Sequence, residues 1–228
     1  GISYHALLAL EYATMMGADI TNNSWIGDSY SSGTQYAINQ AGAMGSLYVV
    51  CAGNSRNDND ISPTYPASYL GDNVITVAAT THQDTLSSFS NYGATSVDLA
   101  APGSNILSTN TGGGYTTKSG TSMAAPHVTG VASLLLSKRP DLTPDQIRSA
   151  ILEGTDSIDS LTGKTLSEGR LNAYGALMNV APANGQFVTV GPLNTTVSPF
   201  GVNPGSTQNG SFTTIIDNGD EGFFQEGF

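Results

Sequence analysis

Ser122 is the residue of this sequence that is best placed to act as a nucleophile. It lies in the string Gly-Thr-Ser-Met-Ala-Ala-Pro-His over 120–127, which opens an apolar segment predicted to be a helix over 121–136. The unpaired N–H groups and positive dipole end of that helix would face negative charge developing on a bound carbonyl oxygen. A serine at a helix start is more often only an N-cap, so the position alone leaves both interpretations open.

Asn54 is a second residue whose type and position could serve the same chemistry. It follows the apolar run 47–52, in the tripeptide Ala52-Gly53-Asn54. A side-chain amide at this place could donate a hydrogen bond to a carbonyl oxygen as that oxygen becomes an oxyanion. An isolated Gly-Asn pair more commonly serves a turn, and that alternative stays open.

Alternating sequence patterns predict an α/β domain with a parallel sheet that would position both residues. Apolar residues at helical spacing predict helices over 3–16, 33–44, 121–136 and about 172–180. Short apolar runs predict strands over 18–25, 47–52, 73–80 and 97–100. One more helix is predicted to begin with a capping box at Thr143, Pro144 and Gln146. The loops 22–32 and 53–62 would leave the carboxyl ends of strands, where such sheets bind ligands.

Over roughly residues 1–180 the chain resembles the subtilisin-like serine peptidases, or subtilases. The string over 120–128 resembles their nucleophile motif, and Ala52-Gly53-Asn54 resembles their oxyanion motif. The resemblance implies Ser122 as nucleophile, Asn54 as oxyanion donor and Thr121 as a weaker hydroxyl contact. It also implies a three-layer, doubly wound, mostly parallel sheet of the subtilisin type that lacks its N-terminal strands.

The same resemblance implies a binding site for an extended polypeptide. Asn23-Ser24-Trp25 resembles the family's substrate-binding segment, where a peptide is added as a β-strand. Ser24, Trp25 and Gly27 are therefore candidate substrate-binding residues. Trp25 could equally be a core aromatic residue, and Ile26 interrupts the usual spacing before Gly27, which leaves the register of this segment open.

Three further residues are candidates for the pocket that takes the side chain before the cleaved bond. By resemblance, Ala52 and Gly53 would wall that pocket. Thr64, in Thr64-Tyr65-Pro66, would close its base.

The histidines do not supply a base in the expected context. An α/β-hydrolase needs a histidine well after its serine, and no histidine follows His127. Subtilases use the order Asp, His, Ser, but neither an Asp-Ser/Thr-Gly nor a His-Gly-Thr-His string occurs here, and His5 and His82 are predicted to be surface residues. The acid and base are therefore expected upstream, in a missing N-terminal portion of the same domain. The chain alone is expected to be inactive, and a non-catalytic pseudo-peptidase or peptide-binding or structural module is the alternative.

Composition narrows the partners. Seven Lys and Arg against eighteen Asp and Glu give a net charge of −11, which disfavours nucleic acid and anionic membranes. Cys51 is the single cysteine and is expected to be a buried, inert thiol. A polypeptide substrate and an extracellular, bacterial setting are expected.

No cofactor is expected for the chemistry, and the sequence identifies no metal ligands. The family resemblance allows structural calcium, but the oxygen-rich stretch 57–60 lacks the spacing of an EF-hand loop.

The chain is predicted to contain three parts. A partial catalytic domain is expected over 1–182 and a polar, glycine- and proline-rich linker over 183–210. The start of an accessory β domain is expected over 211–228.

Thr64 makes a prediction about specificity. Relatives often have glycine at this place, and a branched side chain would make the pocket shallower. We therefore expect the full-length protein to cleave after small or medium side chains in preference to bulky aromatic ones. Values of kcat/KM on matched peptides with Ala, Leu or Phe before the cleaved bond test this, and a preference for Phe would contradict it.

Overall fold

The computed structural model describes residues 2–27 and 29–181. Its α-helices are α1 (Ile2–Met15), α2 (Ser32–Ala43), α3 (Thr121–Lys138), α4 (Pro144–Glu153) and α5 (Ala173–Met178). Its strands are β1 (Ile20–Asn23), β2 (Leu47–Cys51), β3 (Val74–Thr80), β4 (Leu99–Pro102), β5 (Ile106–Thr109), β6 (Tyr115–Lys118), β7 (Asp156–Ser157) and β8 (Gly169–Arg170). The linker predicted for 183–210 and the accessory domain predicted for 211–228 lie outside the described residues and stay predictions.

The main sheet has the strand order β1-β2-β3-β4-β8-β7. Its first five strands pair in parallel and β7 pairs antiparallel to β8. The register sets Asn23 beside Val50 and Cys51 beside Val77, so successive strands end at one edge of the sheet. The predicted α/β fold with a mostly parallel sheet is confirmed, and the loops that carry Ser24 and Asn54 leave from that shared edge.

Helices cover both faces of the sheet. Strands β2 and β3 are buried along their whole length, as expected for parallel strands between two helical layers. One face packs against α3, α4 and α5 through an apolar cluster that includes Val49, Val77 and Val128. The other face packs against α1 and α2 through Leu10, Ile38 and neighbouring side chains. This is the predicted three-layer arrangement.

Helix α3 differs from its prediction in one respect. The sequence of 121–136, with Met123, Val128 and Leu134 among its apolar residues, predicts a helix that is apolar nearly all round and crosses the core. In the structure one face is buried, formed by residues such as Ala124, Val128 and Leu135, whereas the side chain of Leu134 is 50% exposed. The helix lies on the sheet as an outer layer, and among the described residues no element covers its far side.

Two local structures were not predicted. Strands β5 and β6 form an antiparallel hairpin, and β7 and β8 are two-residue strands at the far edge of the main sheet. The hairpin turn uses Gly112, Gly113 and Gly114 with φ of 88°, 96° and 74°, a region that side-chain-bearing residues rarely adopt. The glycine triplet was the signal for this hairpin. The capping box of α4 was predicted from the same kind of local chemistry and is confirmed.

A buried ion pair holds the sheet against α4. Asp98, just before β4, is 7% exposed, and one of its carboxylate oxygens accepts a hydrogen bond from the Thr76 amide at 2.7 Å. The other oxygen pairs with the Arg148 guanidinium at 2.5 Å. Burial raises the pKa of the Asp98 carboxyl, and the charge of Arg148 opposes that rise.

Replacing Arg148 by Met should leave the Asp98 carboxylate buried without its cation. We expect a loss of about 3–5 kcal/mol in the free energy of unfolding near neutral pH, measured by urea titration. Because the folded pKa of Asp98 lies above its unfolded value of about 3.9, the native state binds the extra proton and stability falls as pH rises between the two values. In Arg148→Met the folded-state pKa of Asp98 should rise further, because the opposing charge is gone. The fall in the free energy of unfolding should therefore extend to higher pH. Arg139→Met, which breaks an exposed pair with Asp141, should change little; equal losses would contradict this account.

Candidate active site

The start of α3 approaches the end of the sheet closely. The Gly120 amide donates to the Gly103 carbonyl at 2.8 Å, which joins the helix start to the segment after β4. A Cβ atom on Gly103 would lie 2.6 Å from the Ala79 Cβ and 2.9 Å from the Gly120 carbonyl oxygen. Only glycine allows this approach, which brings Ser122, in the first turn of the helix, to the edge where the parallel strands end.

Asn54 and Thr121 form the tightest polar contact at this edge. The Asn54 Oδ1 atom accepts hydrogen bonds from the Thr121 amide at 2.8 Å and from the Thr121 hydroxyl at 3.0 Å. The Thr121 hydroxyl also accepts from the Gly53 amide at 3.1 Å. Because Oδ1 is held by two donors on one side, the Nδ2 group of this exposed asparagine is directed away from them and can serve another acceptor.

Ser122 is linked to the loop that follows β1. The Ser24 hydroxyl donates to the Ser122 carbonyl at 3.1 Å, and the Ser122 hydroxyl donates to the Ser24 carbonyl at 3.4 Å. A carbonyl can accept this proton in a hydrogen bond but cannot take it. Among the described residues, no imidazole or carboxylate is bonded to the Ser122 hydroxyl.

The histidines lie where the sequence suggested. His127 is exposed, and its Nδ1 atom bonds the Met123 carbonyl one turn back along α3 at 2.9 Å. His82 is exposed in the loop after β3. His5 is exposed on α1, where its ring meets that of Tyr4 edge-on.

The candidate substrate-binding segment runs beside Ser24. The Gly27 amide donates to the Tyr65 carbonyl at 2.7 Å and is therefore engaged within the protein. Ile26 has no backbone hydrogen bond to the described residues and its side chain is 38% exposed. Trp25 is partly buried, bonds the Asn23 side chain through Nε1 and lines a cavity of about 70 Å³ with Gly27 and Tyr65. The backbone groups that are free to pair with a peptide are therefore those of Ile26, one residue before Gly27.

Ala52, a candidate pocket residue, and its neighbour Cys51 pack on opposite faces of the sheet at the end of β2. The Ala52 side chain is buried with Ala78 and Leu161, whereas Cys51 belongs to the cluster that packs under α3. The Cys51 thiol lies 3.8 Å from the Trp25 carbonyl oxygen. Burial raises the pKa of this thiol, and hydrogen bonds to Ser122 and Thr121 partly offset the rise. The predicted burial of this thiol is confirmed, and the thiol lies beside the nucleophile candidate.

Thr64 lies on the other side of the Asn54 loop. Its hydroxyl accepts from the side-chain amides of Asn57 and Asn91, both at 3.4 Å. Its amide donates to the Ser68 hydroxyl at 3.1 Å. Thr64 therefore contacts the loop that carries Asn54.

Oxygen atoms of the stretch 57–60, and the carbonyl of Ala67, accept hydrogen bonds within the protein. Asp60 accepts from the Thr95 and Ser96 amides, and the Ala67 carbonyl accepts from the Thr76 hydroxyl at 2.8 Å. In the part of the chain that the structure describes, no group of three or more His, Cys, Asp and Glu side chains could hold a metal ion. Structural calcium stays an expectation from the family resemblance, and calcium enters no step below.

Two buried asparagines were missed by the sequence reasoning. Asn59 and Asn91 are each 1% exposed and bond each other beneath the Asn54 loop. Asn91 lies in the loop that follows β3, which leaves the same edge of the sheet as the loops after β1 and β2. Its position after a predicted parallel strand was the signal that could have identified it.

Fold and site together define an α/β domain with a serine at the start of a helix beside an oriented asparagine amide, the arrangement of a serine-hydrolase domain. A model of the subtilase family matches residues 3–176. Thermitase of Thermoactinomyces vulgaris is 45% identical over 168 residues, which cover 74% of this chain and 57% of that protein. A thermophilic serine proteinase of Bacillus sp. (strain AK1) is 45% identical over 170 residues, which cover 74% of this chain and 40% of that protein.

Solved structures agree with the sequence comparison. A protease of Pseudoalteromonas arctica PAMC 21717 matches with a TM-score of 0.64 and 36% identity, over 71% of this chain and 51% of that one. A cold-adapted subtilisin-like serine proteinase matches with the same TM-score and identity, over 70% of this chain and 57% of that one. The chain belongs to the subtilase family, and it spans about half the length of the relatives named here.

The contribution of the Thr121 hydroxyl to stability can be measured without an activity assay. In Thr121→Val the buried Gly53 amide loses its acceptor, and we expect the free energy of unfolding to fall by about 1–3 kcal/mol. Thr121→Ser keeps the hydroxyl and removes one methyl group, at a cost of about 1 kcal/mol. Urea titration of both variants gives the comparison. If Thr121→Val is as stable as Thr121→Ser, the hydroxyl does not hold the Asn54 loop.

Proposed function

We propose that this chain is part of a serine endopeptidase that cleaves peptide bonds through an acyl-enzyme on Ser122. The observation that carries the proposal is the contact between Asn54 Oδ1 and the two Thr121 donors at 2.8 and 3.0 Å. It orients an otherwise exposed amide beside the first turn of α3, which is the requirement for a preorganised oxyanion donor.

The mechanism follows from these positions. The Ser122 Oγ attacks the carbonyl carbon of the peptide bond while its proton passes to a base, and the carbonyl oxygen takes up the negative charge. Asn54 Nδ2 donates to that oxyanion together with the Ser122 N–H in the first turn of α3, since the Thr121 and Met123 amides are bonded to Asn54 Oδ1 and the Gly120 carbonyl. The C–N bond then breaks, the amine leaves with the proton, and water hydrolyses the ester on Ser122 by the same steps in reverse. Thr121 supports Asn54 by holding its oxygen.

The substrate is proposed to be an extended polypeptide that pairs with the backbone of residues 24–26. The Ile26 backbone is available for such pairing, whereas that of Gly27 is held by Tyr65. Ala52, Gly53 and Thr64 are proposed to shape the pocket before the cleaved bond. Among the described residues no helix is long and apolar enough to cross a membrane. Extracellular action on proteins, without nucleic acid or membrane partners, is proposed from the acidic composition and from family membership.

The acid and base are proposed to come from a further portion of the same domain that covers the β1 edge. Strand β1 lies at the edge of the sheet and pairs only with β2 among the described residues. On one side of this region α1 exposes a stripe of large apolar side chains at helical spacing, Tyr4, Leu8, Tyr12 and Met15. On the other side Ile20 and Leu136 line an open groove of about 430 Å³. Free strand edges and apolar stripes of this kind are normally covered in a stable domain.

A non-catalytic peptide-binding module is the second candidate. It is favoured by one observation: the Ser122 hydroxyl donates to the Ser24 carbonyl, and among the described residues no imidazole or carboxylate is bonded to it. In that case the oxyanion donor and peptide-binding segment would bind a polypeptide without cleaving it.

A reconstitution experiment separates the two candidates. We expect residues 1–228 alone to show neither casein cleavage nor labelling of Ser122 by a fluorophosphonate, because no base is bonded to this serine among the described residues. A chimera that places a subtilase segment with Asp-Ser/Thr-Gly and His-Gly-Thr-His strings before this chain should gain both activities. In the chimera, Ser122→Ala should abolish them. Asn54→Ala should lower kcat by about 10²–10³-fold, the cost of removing one such donor from subtilisin.

The outcomes are distinct. A folded chimera that binds peptide but neither cleaves it nor labels would favour the binding module. Casein cleavage by residues 1–228 alone would show that the base lies within this chain.

A further inference from the structure

Asn91 lies directly beneath the turn that presents Asn54. Its side chain is 1% exposed, and a Cβ atom on Gly53 would lie 2.4 Å from its Nδ2 atom. Gly53 has a φ of 113°, a conformation that favours glycine independently of the space available. The Asn91 side chain therefore fills the site that any side chain at position 53 would occupy.

The Asn91 side chain holds the residues on the C-terminal side of Asn54. Its Oδ1 atom accepts from the Ser55 amide at 2.8 Å and from the Asn57 amide at 3.1 Å. Its own backbone amide donates to the Gly53 carbonyl at 2.9 Å. Asn91 thus contacts the chain on both sides of Asn54 without contacting Ser122.

A second buried amide continues the network. Asn91 Nδ2 donates to Asn59 Oδ1 at 3.1 Å, and Asn59 Nδ2 donates to the Ala52 carbonyl at 3.0 Å. Both asparagines are neutral, so they hold the turn without adding charge where an oxyanion would form. Buried networks with every member satisfied are rigid, and removing one member leaves several groups unpaired.

The turn requires such support. Arg56 also has a positive φ, 56°, so the segment 53–56 contains two residues in the left-handed region. Such conformations persist only where the surroundings determine them. Thr121 fixes the Asn54 oxygen, but the direction of the Asn54 Nδ2 group also depends on where the backbone of the turn lies.

We propose that Asn91 is a positioning residue for the oxyanion donor: its buried amide holds the turn 52–57 so that the Asn54 Nδ2 group faces the oxyanion. The inference rests on the proposed function of Asn54, but its structural part can be measured separately. Asn91 has no hydrogen bond to Ser122. Its Nδ2 atom also reaches the Thr64 hydroxyl, but only at 3.4 Å, and its effect on the oxyanion is proposed to pass through Asn54.

The first experiment uses amide hydrogen exchange in residues 1–228. In Asn91→Ala we expect protection of the Ser55 and Asn57 amides to fall at least about tenfold, because both lose their acceptor. The Ala52 amide bonds the Val77 carbonyl in the sheet and should keep its protection. Unchanged protection at Ser55 and Asn57 would overturn the proposal, whether or not the protein is a peptidase.

The second experiment is a double-mutant cycle in the reconstituted chimera. Asn91→Ala should lower kcat by roughly 10- to 100-fold with little change in KM, since a donor displaced by about 1 Å loses this much. In an Asn54→Ala background the same substitution should have almost no further effect on kcat. An equal effect in both backgrounds, or no effect on kcat in the parent, would overturn the proposal.

Asn73→Ala is the matched control. Asn73 is also buried, and its side chain donates to the Ile38 and Ser46 carbonyls at 3.0 and 3.2 Å, but it lies before β3 at the opposite edge of the sheet. The Asn73→Ala substitution should destabilise the protein without lowering kcat per folded molecule.

If Asn91→Ala does not fold, Asn59→Ala replaces it, with the same loss of protection and the same dependence on Asn54 expected. A chimera that is inactive in its parent form refutes the proposed function, and hydrogen exchange alone then decides on Asn91.

Discussion

The site depends on the contact between the start of α3 and the side-chain oxygen of Asn54. Two donors of Thr121 reach this oxygen at 2.8 and 3.0 Å. One of them is a backbone N–H that the helix cannot satisfy internally, because the first amides of a helix have no partner within it. The Asn54 oxygen therefore supplies an acceptor to the start of α3, and the same contact fixes the orientation of the Asn54 amide. The close approach at Gly103 and the burial of Thr121 serve to keep the two segments at this distance.

The stabilising groups at this edge are dipoles and not charges. Asn54, Asn59 and Asn91 are neutral, and the other donors to their side-chain oxygens include the Thr121 hydroxyl and the amides of Ser55, Asn57 and Thr121. Dipoles that are already oriented need no reorganisation when negative charge develops on the carbonyl oxygen. Because these groups are neutral, they also attract no counterion to the place where a peptide carbonyl would bind. The ion pair of Asp98 with Arg148 lies instead just before β4, away from the edge where the parallel strands end.

The sequence predicted those parts of the fold and site that rest on local chemistry. The apolar runs of β2 and β3 and the capping box at Thr143 each depend on neighbouring residues, and each was correctly predicted. The burial of one face of α3 and the pairing of Asn59 with Asn91 depend on residues far apart in the chain. An asparagine in a loop has the same local pattern whether it serves a turn or supports a distant side chain, so its role could be seen only once the loops after β2 and β3 were side by side.

In the proposed mechanism, the groups that stabilise the oxyanion do not depend on the group that takes the serine proton. The proposed oxyanion donor is held by residues that the structure describes, since Asn54, Thr121 and the turn above Asn91 bond one another with no contribution from a base. A base that could take the serine proton is not bonded to Ser122 among the described residues, where its hydroxyl donates to the Ser24 carbonyl at 3.4 Å. That contact is long, and the hydroxyl can rotate about a single bond towards a stronger acceptor. A base brought to the uncovered edge at β1 would therefore need to displace only this weak hydrogen bond, while the stabilisation of the oxyanion would already be in place.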